Sequence, residues 1–160
     1  MKLVLTLIAA SVLSTITMDI AGGLLRAIRI TQGAPPGLIG KWIESSMKGT
    51  VIVEDIRTVP GNSVPLSKFL IYHYLIGMLL TWILYVIIDM SGIHNLSWWQ
   101  PLIYGFSTSI LPLFLMFPAM GFGFLGVKGP PEYLLLRTAV LNHLAFGLGL
   151  VLSFRWLIKI

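Results

Sequence analysis

The chain has 160 residues, 56% of them hydrophobic and only 11% charged, with a mean hydropathy of +0.89; soluble domains carry about a quarter of charged residues, so a soluble core is excluded and one membrane domain fills the length. Eleven Lys and Arg against six Asp and Glu give +5. These cations stand singly at the ends of apolar runs rather than in a stripe interleaved with aromatics, which excludes nucleic acid as a partner and assigns them to the lipid bilayer. Cysteine is absent, which rules out disulfides, thiolate zinc sites and iron–sulfur clusters.

Residues 3–29 open as a signal peptide would, with Lys2 ahead of an apolar run, but the run continues through Asp19 to Arg26 and Arg29. It is too long for a signal core and reads as a first membrane span. In the loop 30–67, Pro35-Pro36-Gly37 breaks the chain ahead of Leu38, Ile39, Trp42, Ile43 and Met47. Those apolar residues recur at helical spacing, with Lys41, Glu44, Ser45 and Lys48 on the other side, so a short interfacial helix is expected. Residues 50–53 are too short to classify, and Pro60-Gly61-Asn62-Ser63 reads as a turn.

Three further spans follow, at about 68–90, 101–127 and 134–157, each near the roughly 20 residues that cross the hydrocarbon. The connector through Ser91-Gly92 and Trp98-Trp99 is so short that the second and third spans are expected to form an antiparallel hairpin. Pro112 and Pro118 should kink the third span. The expected fold is an all-α membrane protein, a four-helix transmembrane bundle with an interfacial helix between spans one and two. Trp42, Trp98 and Trp99 serve as interfacial anchors.

Orientation follows from the distribution of Lys and Arg. Arg26, Arg29, Lys41, Lys48, Arg57, Lys68, Lys128 and Arg137 fall on one side; Lys2, Arg155 and Lys159 fall on the other. The loops after spans one and three are therefore expected in the cytoplasm, with both termini outside. Asp89 and His94 then lie at the outer surface.

Ionisable groups inside hydrocarbon cost at least a few kcal/mol each on insertion scales, so each needs a reason. Asp19, His73 and His143 are the three clear cases. At 1.5 Å per residue they lie about 10, 8 and 9 Å from Arg26, Lys68 and Arg137, so three spans present a carboxylate and two imidazoles at one depth. Met120, with Gly121 and Gly123, comes to a similar level from the third span. Gly77, Gly121, Gly123 and Gly147 are the candidate close-packing positions, because small residues let membrane helices approach. His73-Tyr74-Leu75-Ile76-Gly77 and His143-Leu144-Ala145-Phe146-Gly147 share a weak pattern that hints at a duplicated hairpin.

Against a binding role stands a plain structural one, in which these residues only make interhelical hydrogen bonds worth about 0.6 kcal/mol on average and the thioether of Met120 fills a gap. No phosphate loop, nucleophile elbow, HExxH or CxxC is present, which argues against an enzyme. The leading expectation is an intramembrane site that binds or translocates a proton, a metal ion or a small polar solute, with Asp19, His73 and His143 as the metal candidates. The alternatives are a structural or accessory subunit of a membrane complex, and a haem b protein ligated by His73 and His143. So small a bundle would enclose a solute path only as a homo-oligomer or in a larger membrane complex.

The ordered set Thr17-Met18-Asp19 with Arg26, Gly40-Lys41-Trp42, His73-Tyr74 with Gly77, Pro118 with Met120-Gly121 and Gly123, and His143 with Phe146-Gly147 resembles a bacterial family of small membrane proteins, domain of unknown function 2938. The resemblance covers nearly the whole chain. It implies a four-span protein of the bacterial inner membrane and brings no established activity. The family pattern often places a histidine before the acidic pair that is Glu54-Asp55 here. This chain has Val53 at that position, so the resemblance carries no metal site to that loop.

Overall fold

The computed structural model describes residues 1–93 and 95–158. His94 and Lys159, both used in the sequence reading, lie outside the described residues. Among the described residues four helices are long and apolar enough to cross a membrane: Lys2–Ala27, Leu66–Met90, Trp99–Ala119 and Leu135–Ile158. They are the first to fourth spans below. The interfacial helix is Pro36–Met47, with Pro36 in the first turn, where a missing N–H costs nothing. No strand occurs among the described residues.

The third span is shorter than the hydropathy suggests, ending at Ala119 instead of near residue 127. Gly121 takes φ +86°, a left-handed conformation that halts the helix, and the chain then returns through a compact loop to Leu135. Inside this span Pro112 removes one backbone donor, and Leu111–Met116 widens into a π-helical turn in which Phe117 N–H donates to the Pro112 carbonyl. A second π-helical turn, Phe154–Ile158, closes the fourth span.

Helix packing runs in the order second, first, fourth, third span. The second and third spans are antiparallel in sequence order but are not close neighbours. Tyr104 Oη reaches across to donate to the Leu80 carbonyl at 2.7 Å. Residue size explains this order. The first span buries Ala10, Ser11, Ser14 and Thr15, which let the fourth approach until Ser14 Oγ and Ser153 Oγ stand 3.1 Å apart. A Cβ on Gly149 would lie 2.6 Å from Ser14 Cα. Gly105 and Gly147 bring the third and fourth spans together equally closely. The second span carries larger side chains, Leu80, Leu84 and Ile88, into a cluster with Phe146, Leu150 and Phe154 of the fourth.

A second apolar cluster closes the end of the bundle that carries the long loop. Ile56 and Ala34 from that loop meet Leu113, Phe117, Met120, Phe122, Leu135 and Ala139. Backbone bonds from Val53 N–H to the Ala119 carbonyl (2.9 Å) and from Ile56 N–H to the Met120 carbonyl (3.0 Å) pin the loop to the end of the third span. Buried Lys41 donates to the Val59 carbonyl, and Glu44 pairs with Lys68, tying the interfacial helix to the loop and to the second span. Trp42 Nε1–H donates to the Val51 carbonyl at 2.8 Å.

A candidate polar site between the spans

Asp19 sits two turns before the end of the first span, and His73 and Tyr74 two turns into the second. Because these helices run antiparallel and pack together, equal distances from their shared end place the three residues at one level. A Cβ on Gly77 would collide with Thr15 Oγ1, so the two spans meet closely just beyond this level. His73 Nε2 lies 3.0 Å from Asp19 Oδ1, and Tyr74 Oη donates to Asp19 Oδ2 at 3.0 Å. Both carboxylate oxygens are thus engaged by adjacent residues of one helix. Phe69, one turn earlier, stacks on the His73 ring with centroids 5.6 Å apart and planes 14° from parallel, which fixes the imidazole. The Asp19 side chain keeps 38% of its accessible surface and that of His73 19%, so the pair is open on one side.

His143 has a different partner. Its Nδ1 lies 2.7 Å from Thr108 Oγ1 of the third span, and Thr108 Oγ1 donates to the Gly105 carbonyl at 2.6 Å. The Thr108 hydroxyl is within hydrogen-bond reach of both acceptors; when its proton goes to the Gly105 carbonyl, His143 Nδ1–H donates to Thr108 and Nε2 is left to accept. Asn142, the residue before His143, faces the first span at Gly22: a Cβ there would lie 3.0 Å from Asn142 Oδ1.

The four expected binding residues therefore divide. Asp19 and His73 are in direct contact, His143 is bound to the third span, and Met120 is fully buried in the apolar cluster at the loop. The length of the third helix accounts for Met120. It lies past the helix end, where the chain turns back, instead of a few turns up the bundle. Gly121 and Gly123 lie in that turn as well. A Cβ on Gly121 would collide with the Glu54 carbonyl, while Gly77 and Gly147 do stand at helix contacts. Trp98 and Trp99 are exposed at the opposite end, and Trp42 is half-buried.

Two partners escaped the sequence reading, Tyr74 and Thr108. Tyr74 directly follows His73, but placing both on Asp19 requires the rotational setting of the helix. Among the described residues no group of three His, Asp or Glu side chains is arranged to hold a metal ion. Ligation of haem by His73 and His143 would require His73 Nε2 to leave Asp19, so the residues present do not fit a bis-imidazole haem.

The family model described as "Protein of unknown function (DUF2938)" matches residues 8–156, and the chain belongs to that family. No curated protein and no solved structure matches the chain.

Proposed function

We propose that this family member is a multi-pass protein of the cytoplasmic membrane whose first two spans form a proton-binding site, with Asp19 and His73 sharing the proton and Tyr74 holding the carboxylate. The observation that carries this reading is the carboxylate of Asp19, engaged at 3.0 Å by both His73 Nε2 and Tyr74 Oη between membrane spans. A lone charge there is costly. A carboxylate and an imidazole can instead exist as an ion pair or as a neutral acid and neutral ring, which differ only by transfer of one proton across the 3.0 Å contact. Uptake of a second proton leaves the imidazolium beside a neutral carboxyl.

We assign His143, bonded to Thr108 of the third span, as the next acceptor for a proton leaving the pair. Its bond to Thr108 makes the relay depend on how the third span packs. In the same reading both termini lie outside, and the loops after spans one and three face the cytoplasm, as the charge asymmetry favours.

The test is infrared difference spectroscopy of protein in lipid vesicles stepped through pH. A protonated-carboxyl band should appear on acidification, vanish in Asp19→Asn and shift in Tyr74→Phe, which removes one hydrogen bond to that carboxylate. Spectra that are the same in Asp19→Asn and the parent would overturn the proposal in favour of an accessory subunit whose polar groups only join helices.

A further inference from the structure

The end of the first span carries an irregularity the proton site does not explain. The helix closes in a Schellman motif: Ile30 N–H donates to the Leu25 carbonyl at 2.9 Å and Arg29 N–H to the Arg26 carbonyl at 3.0 Å. The motif needs a left-handed residue at Arg29, which has φ 58°. Glycine is the usual occupant, because a side chain there crowds its own backbone. An arginine thus stands where glycine would be easier, and such outliers cluster at functional positions.

Two more arginines frame this one. Arg26 lies in the last turn of the first span, one turn before Arg29. Arg137, near the start of the fourth span, donates from Nη1 to the Ile30 carbonyl at 3.4 Å. The two helix ends are locked together by Leu134 N–H donating to the Gln32 carbonyl at 2.7 Å and Gln32 N–H donating to Thr138 Oγ1 at 3.0 Å. All three arginines are exposed, and among the described residues none is in an ion pair. They stand where two membrane spans end, at headgroup depth, and planar guanidinium groups suit bidentate contact with phosphate oxygens.

We infer that Arg26, Arg29 and Arg137 form a site for the phosphate of an anionic phospholipid in the leaflet at this end of the bundle. The Schellman turn fixes the backbone at Arg29, and the Gln32 bonds fix the ends of the first and fourth spans against each other, so the three arginines stand on one joined helix end. That arrangement separates a site from the general excess of cations beside membrane spans, where each charge contributes independently of its neighbours.

The test measures lipid retained by purified protein from mixed phosphatidylglycerol and phosphatidylcholine nanodiscs, together with melting temperature. The parent should retain phosphatidylglycerol preferentially. Each arginine removed should lower that preference about ten-fold, as loss of a charge-assisted hydrogen bond to phosphate would. Arg29→Gly separates lipid binding from folding: it relieves the left-handed turn, so its melting temperature in phosphatidylcholine alone should equal or exceed the parent's while its preference falls. Lys48→Gln, which removes an exposed cation just past the interfacial helix, should lower the preference less than the loss of any of the three arginines. An equal loss in Lys48→Gln, or an unchanged preference in Arg29→Gly, would overturn the inference in favour of a diffuse field. Inorganic phosphate alone should not reproduce the stabilisation by phosphatidylglycerol. If it does, the occupant is free phosphate and the lipid assignment fails.

Discussion

Replacement of Gly105 by alanine tests the packing that supports the site. A Cβ at this position would lie 2.5 Å from Gly147 N, nearer still to Gly147 Cα, and 3.1 Å from the His143 carbonyl. Ordinary contacts between such atoms are about 3.5 Å or more, so the third span must retreat from the fourth by about 1 Å. The obstacle is backbone, which cannot rotate away. Overpacking of this kind costs about 1–3 kcal/mol, with the upper half expected here. The same retreat stretches the 2.7 Å bond between Thr108 and His143 to about 3.7 Å, beyond hydrogen-bond range, and removes about 0.6 kcal/mol more. Alanine's better helix propensity returns up to about 0.8–1 kcal/mol, leaving a net loss of about 2 kcal/mol.

Equilibrium unfolding in mixed micelles measures that loss, and nitrogen NMR of His143 reports the broken bond. Gly23→Ala is the control, since nothing lies within 4 Å of its Cβ; it should be neutral or slightly stabilising. If Gly105→Ala unfolds like the parent and His143 keeps its signal, the close contact of the two spans is not as described.

Thr108→Val should lower stability by about 0.6 kcal/mol, at most about 1.7, in the same unfolding assay, and in a double-mutant cycle with His143→Phe the two effects should not add. Ser153→Ala, which removes the 3.1 Å contact with Ser14 while leaving the helices able to pack, should cost a similar amount. In the loop, the hydrogen bonds from the Arg57 side chain hold the Asp55 carboxyl below its ordinary value, with burial opposing. A depressed folded value means the contribution is present above the unfolded Asp pKa, near 4, and is lost as pH falls through the lower folded value. Amide exchange at Ile56 and Arg57, corrected for intrinsic rates, should therefore accelerate only on strong acidification, and Asp55→Asn should abolish that dependence. For topology, Ser45→Cys should label only from the cytoplasm and Ser97→Cys only from outside.

The periodicity and length of the apolar runs made the spans legible, because backbone groups in hydrocarbon must be satisfied within a helix. Pairing of Asp19 with His73 was readable from depth alone: two groups at equal distance from the same end of antiparallel helices can meet. Rotation about each helix axis is not encoded so directly. It decided that His143 turns to Thr108, and that Tyr74 joins His73 on the same carboxylate. Hydropathy also carried the third span too far, since Met120, Phe122, Phe124 and Leu125 are apolar whether they sit in a helix or in the loop that packs on Ile56. The glycines at 121 and 123 were the available signal. They read as close-packing residues, while Gly121 φ +86° and Gly123 φ +71° mark them as turn residues.

Nitrogen NMR of His73 across a pH series, in parent protein and in Asp19→Asn in the same bilayer, tests the shared proton without an intermediate step. His73 Nε2 should carry the signature of a strong bond to a carboxylate, and the replacement should remove it and change the pH dependence of the signal. An identical His73 titration in the two proteins would contradict a shared proton.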